Sequence, residues 1–266
     1  MSVVSHDDSL ASTEEDQPNL HHFHRFGDIQ LVSEEGIVFR TQSQNLARAS
    51  TVFQAMIEAG DAEFSSIGHK RKLPEETQSK PVHVYTSTKV LDVFLNVISV
   101  SEPHIPDIGF IKTLSLYEFC KKYDVLYHVF TLVKAALYAR ASQDCQWALL
   151  SWSAKRNDER VAREALRIMT GKVFLRPKII SKTDPTKFTS CLFWEAMANL
   201  PKSWQLDLLE LAIRTPGQRN KPSNGGKSQL VEELQVCTDW QEVAYTFYVR
   251  ALMARSLTAM ADTADP

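Results

Sequence analysis

Cys120 and His128, eight residues apart, come nearest in this sequence to a nucleophile and its base. A reactive thiol needs a lowered pKa and a base within hydrogen-bond reach. Both residues sit in apolar helical periodicity, so Cys120 reads as packed core. Neither a Gly-x-Ser-x-Gly elbow nor a His-Glu-x-x-His zinc helix occurs. Gly226-Lys227-Ser228 has the ending of a phosphate-binding loop. The glycine that must stand five residues earlier is Lys221, and no strand pattern leads in, so a flexible loop is expected. His21-His22-x-His24 offers three imidazoles. A metal needs converging ligands held by their neighbours. These lie at the edge of a polar tail and read as a solvent-exposed stretch, with no metal and no cofactor expected. Lys70-Arg71-Lys72 has the character of a short import signal, but Leu73-Pro74-Glu75-Glu76 follows and a solvated turn is the plainer reading.

The bulk properties agree with a protein that binds rather than catalyses. Over 266 residues the net charge is -2, which gives no electrostatic reason to expect nucleic acid or an anionic membrane as partner. The hydrophobic share of 44% and the charged share of 23% are those of an ordinary globular chain with a substantial core. Cys120, Cys145, Cys191 and Cys237 are scattered, without a Cys-x-x-Cys pair, as free thiols in a reducing compartment would be. The first twenty residues lack an apolar stretch, so no secretory leader is expected. The most apolar run, Val90 to Val100, is broken by Asp92, Asn96 and Ser99 and is too short to span a bilayer. The expected location is cytoplasmic, nuclear or both.

The elements that must position any site can be read from periodicity. Residues 1–22 form an acidic, disordered tail, with order beginning near His22 to Phe26. Ile29 and Leu31 alternate with polar Gln30, Glu34-Glu35-Gly36 can turn, and Ile37-Val38-Phe39 is strand-like, which predicts a β-hairpin. Leu46, Ala49, Ser50, Phe53, Ala55 and Met56 recur at helical spacing and predict one buried helix face. Residues 66–81 read as an inserted polar loop, followed by a strand over Pro81 to Tyr85. Ser87 or Thr88 caps a helix that buries Val90, Leu91, Phe94, Leu95 and Ile98. Helices starting near Ile108 and after Asp124 complete this part, the second with Leu126, Val129, Phe130, Val133 and Leu137 inward. Beyond residue 140 the pattern is entirely helical apart from two loops, and it holds all five tryptophans: Trp147, Trp152, Trp194, Trp204 and Trp240. Core packing is their expected role.

The hairpin-then-helix order resembles the opening of the BTB/POZ fold, a protein-interaction module. Asp28 ahead of Leu31, Phe39 closing the second strand, and Leu46-x-x-x-Ser50-x-x-Phe53 carry the likeness. Further on, Pro81 to Tyr85 falls where the family has its third strand. Lys89 to Ile98 matches the helix before its proline-bearing turn, here Pro103. Phe119-Cys-Lys-Lys-Tyr-Asp124 is similar to its Ala-x-Lys-Tyr-Asp helix junction. The resemblance is to fungal BTB proteins with a helical C-terminal region and neither zinc fingers nor kelch repeats. It departs from the pattern at Gln42, where His is usual, and at Ser43, where a basic residue often pairs with the aspartate matched by Asp28. The apolar-x-Glu triplet of cullin-recruiting members is Asp61-Ala62-Glu63 here, with the apolar anchor replaced by a charge.

The resemblance implies an α+β protein: a BTB/POZ-like domain, a small sheet flanked by helices, over residues 23–140, then an all-helical region over 141–262. It implies no catalysis but protein–protein interaction, through BTB-mediated oligomerisation or partner recruitment, with substrate adaptor of a cullin-RING ubiquitin ligase as the sharpest version. Asp28, Gln42, Ser43, Met56, Asp61 and Glu63 are the partner-binding residues it points to. Partners are then other proteins: a second copy, another BTB protein or a cullin scaffold. The alternatives are a transcription-associated scaffold, or a ligand-binding or enzymatic protein with its site among the C-terminal helices.

Overall fold

The computed structural model describes residues 19–66, 81–214 and 235–262. The acidic stretch up to Pro18, the loop around Lys70-Arg71-Lys72, and Gly226-Lys227-Ser228 lie outside the described residues. Among the described residues the chain is α+β, with eleven helices, a four-stranded mixed sheet and two small strand pairs. It divides into two compact units: one runs to Val133, and Gly109–Ile111 with everything from Lys134 onward forms the other.

The first unit is built on the sheet β1–β3–β2–β4, comprising β1 (Leu20–Arg25), β2 (Ile29–Val32), β3 (Val38–Thr41) and β4 (Val82–His83). Strands β2 and β3 are the expected hairpin, with Leu31 opposite Phe39 and both fully buried. β4 returns parallel to β2. β1 runs parallel to β3 and begins at Leu20, inside the stretch expected to be tail. At the entry to β2, Gly27 has φ +146°, and a Cβ there would lie 2.2 Å from the Thr41 carbonyl, so no other residue fits without moving the strand.

The single helix expected from Leu46 to Met56 is two, α1 (Ser43–Ala49) and α2 (Thr51–Ser66). Ser50 between them is extended and bridges Val125. Its buried hydroxyl donates to the Tyr123 carbonyl and accepts the Phe53 N–H at 3.1 Å, while the Leu126 N–H reaches Ala49 at 2.8 Å. The helix breaks because its backbone is needed to hold the junction between α4 (Gly109–Lys122) and α5 (Tyr127–Ala141). Ala55 and Met56, expected inward, are exposed, as is Leu126. α3 (Thr88–Ser99) buries Val90, Leu91, Phe94 and Leu95 as its periodicity predicts. Phe53 lies parallel to Tyr123 at 4.7 Å, and Phe94 and Phe119 close the cluster at 4.9 Å. Burial of each such ring contributes roughly 1.5–3 kcal/mol.

The second unit is not all helical. α6 (Gln146–Lys155), α7 (Glu159–Arg167), α9 (Phe193–Ala198), α10 (Lys202–Ala212) and α11 (Trp240–Asp262) are accompanied by short β segments. The stretch Lys172 to Lys187, expected as loop, carries α8 (Gly171–Leu175) and β5 (Lys178–Ile180), which pairs with β6 (Phe188–Ser190). A second pair joins β7 (Ile213–Arg214) to β8 (Gln235–Val236). These two- and three-residue ladders are too short to show a period-two signal in sequence. Of Asn157 and Asp158, either of which the sequence allows as cap, Asp158 caps α7 by accepting the Val161 N–H at 3.2 Å. Asp144 does not cap α6; it has φ +66° and pairs with Lys178 at 2.9 Å. Trp147 stacks on Phe174 at 5.5 Å and donates to its carbonyl at 3.1 Å, and Trp240 and Phe193 complete the core.

Candidate functional site

Asp28, Gln42 and Ser43 are brought together where the hairpin meets α1. Asp28 lies in the turn into β2 and accepts the Ser43 N–H at 2.7 Å and the Ser43 hydroxyl at 2.6 Å. One carboxylate thus satisfies the first backbone donor of α1 from across the hairpin, at the end where a helix favours negative charge. Gln42, exposed at the N-cap position of α1, makes no side-chain cap of its own. Partial burial pushes the Asp28 carboxyl upward. Hydrogen bonds from Ser43 and from nearby backbone N–H groups outweigh it and hold the pKa below the usual aspartate value. Ser43 therefore supplies what the carboxylate needs without a charge.

Met56 lies on α2 with 47% of its surface exposed. Asp61 and Glu63 continue the same helix, and their side chains lie outside the described residues. Other large apolar side chains of the first unit are also exposed: Phe23, Phe26, Tyr85 and Tyr127. The Lys122 ammonium sits over the Tyr85 ring, 4.9 Å from its centre.

Of the histidine stretch expected in solvent, His22 is exposed but His21 and His24 are not. His21 is 7% exposed and stacked on Phe39 at 4.3 Å, and His24 is half-buried against Asp92 of α3. Ligand atoms from His21, His24 and Asp92 all lie within 4.8 Å of one another. The His-x-x-His spacing was visible in the sequence. The carboxylate that faces it, 68 residues after His24, was not.

The thiol chemistry weighed from sequence has no support in the geometry. Cys120 is buried and its desolvated thiol is pushed up to about 12, while His128 is exposed. Burial also raises the Cys145 thiol, to about 11. Neither is a thiolate near neutral pH. Among the tryptophans Trp147, Trp152, Trp204 and Trp240 are buried and Trp194 is exposed. An open cleft of about 570 Å³ lies beside Trp240. Of its charged walls, Asp239 accepts the N–H groups of Gln241 and Glu242, and Arg167 is paired with Glu164 at 2.7 Å. No helix among the described residues is long and apolar enough to cross a membrane. Compared with protein-family models and with curated proteins, the sequence matches none.

Proposed function

We propose that this chain is a non-enzymatic protein–protein interaction module whose first unit is a BTB/POZ-like domain. The observation that carries this reading is the order of elements in that unit. The hairpin β2–β3 is followed by α1 and α2, by β4 returning beside β2, by α3 running towards Pro103, and by α4 ending at Tyr123-Asp124. The same order underlies the sequence resemblance. Met56 and the exposed aromatic residues support a binding role, because side chains of this size left in water are favoured where a partner covers them. Recruitment of a cullin is the narrower form of the proposal. Self-association or pairing with another BTB protein is the broader one, favoured by the charged Asp61 where an apolar anchor would be needed.

The test is capture of the tagged full chain from its native cells, with light scattering on the purified protein, for the wild type and Met56→Asp. Because Met56 is exposed, the variant is expected to melt with the wild type while losing its partner. Cullin recovered by the wild type alone establishes the adaptor form; a second copy or another BTB protein establishes the broader one. A wild type that is monomeric and recovers none of these overturns the reading.

A further inference from the structure

In a regular strand residues three apart face opposite sides of the sheet, so His21 and His24 on β1 would diverge. The strand is not regular. Leu20 lies opposite Val38 and Arg25 opposite Arg40, so β1 advances five residues while β3 advances two. Such irregularities re-aim side chains, and here both imidazoles arrive on one side with ring centres 5.3 Å apart.

Asp92 on α3 supplies the third group. Its Oδ1 lies 3.4 Å from His24 Nε2 and 4.0 Å from His21 Nε2. The His24 Nε2 atom is buried and makes no hydrogen bond, even with the carboxylate that close. The 3.4 Å spacing suits two ligands of one ion. Around a four-coordinate zinc, ligand bonds of about 2.0–2.2 Å put neighbouring donor atoms about 3.3 Å apart.

The surroundings hold the three donors in place. His21 is fixed by its stack on Phe39, and Asp92 receives Lys89 Nζ at 3.2 Å and Asn96 Nδ2 at 3.0 Å. Outer contacts of this kind orient metal ligands. One contact is given up. His21 Nδ1 accepts the His24 backbone N–H over a long 3.4 Å, and coordination through Nε2 moves the ring proton to Nδ1.

We propose that His21, His24 and Asp92 form a binding site for one divalent transition-metal ion, Zn²⁺ in particular, with water in the fourth position. Zinc accepts two imidazoles and a carboxylate, whereas magnesium and calcium take oxygen donors and disfavour the imidazoles. The ion would clamp β1 to α3. This site stands independently of the interaction reading.

The experiment is titration of the full chain with Co²⁺ and Zn²⁺, following cobalt absorption and the zinc-dependent melting temperature. Wild type, His24→Ala, Asp92→Asn and His22→Ala are compared, with metal-free melts to establish that each folds. The expected result is one equivalent of cobalt bound with d–d bands and no thiolate charge-transfer band, and a melting temperature raised by zinc. His24→Ala and Asp92→Asn weaken binding more than about tenfold, and His22→Ala, altering an exposed neighbour, does not. Absence of a one-to-one complex in the wild type overturns the proposal. So does a folded His24→Ala variant that binds as the wild type does, or a thiolate band, which would assign the metal to a cysteine.

Discussion

At the scale of single residues, the same chemical types take opposite roles according to what the fold places beside them. Cys120 is the natural nucleophile of the sequence and is made inert by burial. Asp28, a carboxylate with Ser43 where the resemblance led to a basic partner, becomes a helix cap through that serine. Because its folded pKa lies below the unfolded value, its stabilisation is present above the ordinary aspartate range and is lost as pH falls through the lowered pKa. Asp28→Asn should therefore cost about 1 kcal/mol at neutral pH, as loss of a helix cap does. Urea melts from pH 7 downward check this: the gap to wild type should hold to about pH 5 and close in stronger acid. A gap already closing between pH 7 and 5 would assign the effect to another group.

At the scale of elements, helix ends are decided by distant partners more than by their own sequence. Ser87 and Thr88 were the expected caps of α3. Ser87 does occupy the N-cap position but makes no side-chain cap, and Glu35 from the hairpin turn accepts both the Thr88 N–H, at 2.7 Å, and its hydroxyl, at 2.8 Å. Asp28 and Glu35, at the two ends of β2, thus fasten α1 and α3 to the sheet. Ser50 works in the same way at the α1–α2 break, where removing its hydroxyl leaves the Tyr123 carbonyl and the Phe53 N–H without their partner. Ser50→Ala should destabilise by about 1–3 kcal/mol with the denaturant dependence unchanged. If stability stayed within about 0.3 kcal/mol of wild type, the break would be held by the Val125 bridge alone.

At the scale of the molecule, each compact unit has its own aromatic core, Phe53–Tyr123–Phe119–Phe94 in the first and Trp147–Phe174–Trp240 in the second. Phe53→Ala and Trp147→Ala should each cost about 3–5 kcal/mol, since each empties a buried site. Hydrogen exchange monitored by mass spectrometry should then rise mainly in the unit carrying the substitution. Equal loss of protection in both units after either change would show one cooperative structure.

The sequence by itself determined the hairpin, the buried face of α3 and the core role of most tryptophans. These depend on periodicity and on contacts within a few residues, and such contacts are written in local spacing. Only the tertiary structure decided that one apolar helix breaks at Ser50, that the region after residue 140 contains short strands, and that His21 and His24 face Asp92. Each of those outcomes turns on a partner far along the chain, and a bulged strand or an extended residue inside a helical pattern leaves no period to read. The composition of the histidine stretch was legible; its direction was set by the irregular pairing of β1 with β3, where the packing of Phe39 and α3 outweighs local alternation.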